Sequence, residues 1–314
     1  MKTYKNIIVA TDFSENSLNA YHYARHIALH LGASLTVVNV FKMPLPSVTP
    51  DYPDYLSALP SVVELEKIAL QQLTDFVNKD DPSEAPNGGD TLILNKINVK
   101  KEAVMGIPAD TLIEYSKNPS TDLLVLGTGA EHDWVDKVFG SFAIKVMKEA
   151  QCSVLLVPSA ADYRGIDHIL YTAALESTSE NELSNTLDFA NYFKAALHFV
   201  HVDAVSQTPQ KDMPVKFEQL LAEKQLHSPY TIENVAALTV AEGINAYCDK
   251  KDIDLVITVT HHRRFWEGLM HYSVATELAW QAHLPILCFH KEEEGKNKDI
   301  AETQEKESIN LLEG

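Results

Sequence analysis

Apolar residues along the chain fall into short continuous runs separated by stretches of helical period. Asn6–Asp12 opens as an apolar run of strand length. Ser14 is placed to cap a following helix, on which Ser17, Ala20, Tyr21, Ala24, Ile27, Ala28 and Leu31 recur at i, i+3, i+4, i+7 spacing. Gly32 is placed to end it, and Ser34–Phe41 forms the next apolar strand. Strands apolar on both faces, joined through a helix, predict a buried parallel sheet. Residues 42–60, with Pro44, Pro46, Pro50, Pro53 and Pro60, read as a long loop. The capping box Ser61-Val-Val-Glu64 starts another helix, and residues 80–90 break the pattern. Thr91–Val99 alternates like a strand, Pro108–Lys117 reads as a helix and Leu123–Leu126 as a strand. Gly140–Ala150 is a further helix and Val154–Val157 a fifth strand. Five strands interleaved with four helices predict one doubly wound α/β domain over residues 1–158.

The remaining chain repeats this plan. At a fixed offset Ala109/Ala241, Tyr115/Tyr247, Asp122/Asp254, Leu123/Leu255, Thr128/Thr260, Trp134/Trp266, Ser141/Ser273, Ala143/Ala275 and Ala150/Ala282 are identical. At the front, His168–Ala173 aligns with Ile7–Asp12, and Leu197–Val202 with Leu35–Val40. The reading is two tandem doubly wound domains, each with a five-stranded parallel sheet, the second over 166–290, joined near Pro158–Gly165. Residues 291–314 form a charged, weakly apolar tail expected to be flexible.

Composition narrows the function. The 314 residues carry a formal charge of −18, which argues against nucleic acid or an anionic membrane as partner. No apolar run is long enough for a membrane span. Cys152, Cys248 and Cys288 are too few for a disulfide framework, and with no secretory signal they point to a reducing, cytoplasmic compartment.

One segment could hold a ligand. Gly127-Thr-Gly-Ala130 follows the carboxyl end of an apolar strand, and Gly140-Ser141 opens a helix nine residues later. Open α/β sheets bind ligands at that edge, glycine admits close backbone approach, and a helix N-terminus attracts an anion. A tight turn with an ordinary cap fits the spacing as well. No Gly-Lys-[Ser/Thr] phosphate loop, metalloprotease motif or nucleophile elbow occurs in the first copy, so no catalytic residue is named.

The segment resembles the signature G-x2-G-x9-G-[ST] of the universal stress protein family, written here Gly127-x2-Ala130-x9-Gly140-Ser141. Thr11-Asp12, Gly106-Ile-Pro108 and Cys152–Pro158 support the likeness, which covers nearly all of residues 1–290 as two copies. The resemblance implies a Rossmann-like fold and bound ATP (or AMP or ADP), with Mg²⁺ or Mn²⁺ as a companion ion. It implies that Asp12 meets the ribose or adenine side and that Val40 lies against the adenine. Gly127, Ala130, Gly140, Ser141 and Phe142 would line the phosphate path. Ala130 departs from the family's second glycine, and Gly129 is placed to restore the turn. The resemblance also implies a regulatory role read by a protein partner. A nucleotide-free scaffold and a slow ATP hydrolase are the rival readings.

In the second copy Ala173 takes the place of Asp12, while Val259, His262 and Tyr272 replace Gly127, Ala130 and Gly140; Ser273 survives. A tyrosine at the helix start would fill the phosphate space, so this copy is expected to be structural. It would supply the surface that single-domain members obtain by dimerising, through fifth strands Val154–Val157 and Ile286–Phe289; a further homodimer is compatible with this. His22, His26 and His30 lie one turn apart and read as a solvated helix face rather than a metal site. His261-His-Arg-Arg264 reads as a solvated basic loop, and the cysteines as buried, inert thiols.

Overall fold

Ile7 and Val9 point into one hydrophobic layer and Ile8 into another, so the first strand is apolar on both faces and central in its sheet. The computed structural model describes residues 3–43, 60–79, 97–129, 140–172, 180–204, 219, 221–222, 229–260 and 284–290. In the first copy these form β1 (Asn6–Thr11), α1 (Glu15–Leu31), β2 (Ser34–Phe41), α2 (Val62–Lys79), β3 (Val99–Met105), α3 (Pro108–Ser116), β4 (Leu123–Thr128), α4 (Gly140–Glu149) and β5 (Ser153–Pro158). The second contributes β6 (His168–Tyr171), α5 (Glu180–Phe193), β7 (Ala196–Ala204), β8 (Tyr230–Ala237), α6 (Val240–Lys251), β9 (Leu255–Thr260) and β10 (Ile286–His290).

The strands make one ten-stranded sheet in the order β3-β2-β1-β4-β5-β10-β9-β6-β7-β8. Neighbours within each copy are parallel. At the centre β10 meets β5 antiparallel, with Ile286 opposite Leu156 and Cys288 opposite Val154. The fifth strands therefore join the copies, and each covers the other's apolar edge.

Local chemistry explains the boundaries. Ser14 caps α1 by accepting from the Ser17 amide, and Gly32 ends it in the left-handed region at φ +64°. The Ser61–Glu64 box is formed in both directions, Ser61 N–H to Glu64 at 2.8 Å and Glu64 N–H to the Ser61 hydroxyl at 3.3 Å.

Three expectations are corrected. The third strand runs over Val99–Met105, past the expected end at Val99, while residues 91–96 of the expected span lie outside the described residues; its pattern VKKEAVM is half-buried and polar, because it lies at the sheet margin beside β2 alone. The alignment of the two fronts shifts by one residue. Ile7 pairs with Leu35 and Leu123, and Ile169 with Leu197 and Leu255, so Ile7 matches Ile169. The Asp122 carboxylate accepts from the amides of Lys5 and Asn6, and Asp254 repeats this with Asp167 and His168. Counting on from these pairs, Ala174 rather than Ala173 holds the place of Asp12; both lie outside the described residues.

The third correction concerns the histidine face of α1, which is not solvated along its length. His26 stacks on Tyr163 of the connecting segment at 4.4 Å, and His30 stacks on Phe193 of α5 at 4.4 Å. His30 Nε2 also lies 2.8 Å from the Tyr192 carbonyl. Helical period alone cannot see a second copy packing on the far side of a helix. Tyr4 meets Phe189 edge-on at 5.6 Å, so the core beneath α1 and α5 runs without a break through both copies. The opposite sheet face carries two separate clusters, one under α3 and α4 and one under α6.

Candidate functional site

In the first copy the strand order reverses between β1 and β4, since β1 connects outward to β2 while β4 lies on its other side. Chains leaving a parallel sheet on opposite sides open a crevice at that switch point. A cavity of about 820 Å³ occupies it. Its walls are the ends of β1, β2 and β4 and the N-terminal turns of α1, α3 and α4, through Asn16, Pro108 and Phe142. Parallel strands aim all three helix N-termini at this end, which favours negative charge in the cavity.

Of the residues expected from sequence, Asp12, Val40, Gly127, Gly129 and Phe142 line the cavity together. Gly140 is the first residue of α4. Ser141 is exposed beside it and is not among the lining residues. Ala130 lies outside the described residues, as do His262, Tyr272 and Ser273 of the second copy; Val259 lies in β9.

Gly127 also has a packing use that its spacing does not suggest. A Cβ there would collide with the Asn16 carbonyl of α1, and one on Gly129 would collide with the Asn16 side-chain amide. The glycines let the end of β4 press against the first turn of α1. The ligand face of the loop is thereby set by helix packing.

Asp12 accepts from the Ser14 amide at 3.0 Å and from the Ser14 hydroxyl. Partial burial works to raise its pKa, but the hydrogen bonds from Ser14 and Ser17 outweigh it and hold the carboxyl below its ordinary value. Between Asp12 and Ser14, Phe13 sits at φ +67°, a conformation that costs a non-glycine residue about 1–2 kcal/mol. Its amide donates to the Thr11 hydroxyl at 2.9 Å and its ring packs edge-on to Phe76 of α2. Both contacts hold the turn that presents Asp12.

Sequence reading missed three polar wall residues. Asn39 is buried in β2 and donates from Nδ2 to the Thr11 carbonyl at 2.9 Å, tying the ends of β1 and β2. Its signal was a polar residue inside an apolar strand. Thr128 lies between the two glycines; it is 4% exposed and its hydroxyl has no hydrogen-bond partner among the described residues. Gln72 reaches the wall from α2 and has no sequence signal.

The cavity chemistry fits a nucleotide: apolar strand ends, helix N-termini and an orphaned hydroxyl that a ligand would satisfy. It does not supply a metal cage. Asp12 is the single carboxylate among the lining residues, and no group of three His, Cys, Asp or Glu side chains converges among the described residues. An accompanying Mg²⁺ or Mn²⁺ would be held mainly by phosphates and water. Among the described residues no helix is long and apolar enough to cross a membrane.

The sequence pattern of the Universal stress protein family matches residues 3–158 and again residues 165–290. A universal stress protein of Methanocaldococcus jannaschii is 26% identical over 155 residues, which is 49% of this chain and 82% of that protein. A universal stress protein A homologue of Coxiella burnetii is 28% identical over 161 residues, 49% of this chain and 96% of its own. Among solved structures, a universal stress protein from Archaeoglobus fulgidus superposes with a TM-score of 0.62 at 15% identity, covering 93% of this chain and all of that one. That last likeness establishes the two-copy fold.

Proposed function

The chain belongs to the universal stress protein family, and from that premise we propose that its first copy binds an adenine nucleotide, ATP foremost, in the β1/β4 crevice. One observation carries the reading: Asp12, Val40, Gly127 and Phe142, which the family resemblance implies, and Gly129 beside them line one cavity at the switch point of the sheet. The adenine would lie along Val40, with Asp12 near the ribose. The phosphates would run past Gly127 and Gly129 toward the first turn of α4, where Gly140, Ser141 and Phe142 stand. Occupancy would order this edge of the domain and change the surface a protein partner reads, in a reducing cytoplasmic setting.

The second copy serves in this proposal as the permanent structural partner of the first, through β5 and β10. No catalytic residue is assigned. Asp12, held below its ordinary pKa, is a poor general base.

Thermal denaturation with and without ATP tests the reading. Wild type should gain stability with ATP, and Ser141→Tyr should lose the gain while Ser273→Tyr keeps it. A wild type that neither releases nucleotide on denaturation nor shifts with ATP would favour the nucleotide-free scaffold. Multiple-turnover phosphate release abolished by Asp12→Ala would favour a slow hydrolase.

A further inference from the structure

The second copy contains a polar chain that the first lacks. His168 on β6 faces His198 on β7, with Nδ1 and Nε2 3.1 Å apart. The other ring nitrogen of His198 lies 3.0 Å from the Tyr247 hydroxyl of α6 and 3.1 Å from that of Thr231 on β8. Tyr247 donates to Glu233 of β8 at 2.9 Å, and Lys251 of α6 pairs with the same carboxylate at 3.1 Å. His198 is 5% exposed. The Tyr–Glu pair recurs in the first copy as Tyr115 and Glu102, but the places of the two histidines are taken there by Asn6 and Thr36, which do not titrate near neutral pH.

The direction of the bonds follows from proton counting. Tyr247 gives its one proton to Glu233, so it accepts from His198 Nδ1–H, and the His198 Nε2 lone pair faces His168. His168 then supplies the Nδ1 proton. One added proton is accommodated, because the ring–ring bond still has one donor and one acceptor. Two are not. With both rings charged, N–H faces N–H at 3.1 Å, and one of the two charges is buried.

We propose that the His168–His198 pair is a proton-operated latch in the sheet of the second copy, closed when the pair carries at most one added proton and forced open by the second. The charged and titratable groups facing His198 are His168 from β6, Glu233 from β8, and Tyr247 and Lys251 from α6. Burial first, then His168 and Lys251, disfavour the charged ring, and Glu233 offsets them only in part. In the open chain both imidazoles charge as pH falls through about 6.5. The folded copy withholds one of those protons, so acid weakens it by up to about tenfold in the opening equilibrium per pH unit below that value. A two-imidazole metal site is a poorer account, since no third ligand converges on the pair among the described residues. The inference is independent of nucleotide binding.

Amide hydrogen exchange on the full chain between pH 7 and 5, corrected for intrinsic rates, tests it. Opening of β6, β7 and α6 should rise with acid, by up to about tenfold per pH unit, and clearly more than that of β1, β2 and α3. His198→Thr should remove the excess slope. His168→Asn, at the half-buried first position of β6, does so without emptying the core and covers the case in which His198→Thr fails to fold. Equal slopes in the two copies, or an unchanged slope in His168→Asn, would overturn the proposal.

Discussion

The side-chain amide of Asn16 occupies the space that a Cβ on Gly129 would need. The turn at the end of β4 and the first turn of α1 are thus one packed unit, and the cavity wall depends on both. At Gly127 the obstructing atom is the Asn16 carbonyl, which cannot swing away. Gly127→Ala should therefore cost about 1–3 kcal/mol by overpacking, and Gly129→Ala should cost less. Chemical denaturation of the two variants checks the order; equal losses would contradict it.

Thr128 buries a hydroxyl without a partner among the described residues. Thr128→Val should stabilise the ligand-free protein by about 1 kcal/mol, because the desolvation penalty of an unmade bond disappears. The stabilisation added by ATP should shrink at the same time if the hydroxyl meets the ligand. Melting curves with and without ATP read both effects.

Ser14 both caps α1 and donates to Asp12. Ser14→Ala should lose about 1 kcal/mol as a capping deletion. The depressed Asp12 carboxyl contributes stability that is present above the unfolded value near 4 and is lost as pH falls through its lower folded value. Stability curves from pH 5 to 2 should therefore fall less steeply in Ser14→Ala than in wild type. Parallel curves would count against this assignment.

Every residue of β5 is buried, and β10 covers its edge. A chain ending at Gly165 would expose that edge, and an apolar edge recruits a second strand. Such a fragment should run as a dimer in light scattering, and Leu155→Lys should return it to monomer. A monomeric unmodified fragment would show that the β5 edge is not adhesive by itself.

Much of this architecture was legible in the order of residues. Ser14, Gly32 and the Ser61–Glu64 box act within one turn of chain, so their meaning is local and was read correctly. The buried strands of the first copy, save β3, announced themselves by being apolar on both faces. The third strand did not, because at the sheet margin its side chains are half-exposed and its pattern is weak. The family resemblance pointed to Asp12, Val40, Gly127 and Phe142, with Gly129 beside them, but it gave no sign of Asn39, Thr128 or Gln72, whose roles depend on what stands across the crevice.

Period, caps and repeat are properties of neighbouring residues, and they determined the fold class, the duplication and the end of the sheet where a ligand would sit. Contacts between segments far apart in the chain belong to the tertiary structure alone. It decided that Gly127 packs against Asn16, that His30 of α1 packs on the second copy and His26 on the connecting segment, and that His168 meets His198. The one-residue shift between the two fronts has the same origin: hydrogen-bond register is set by pairing across strands, and no single strand carries it.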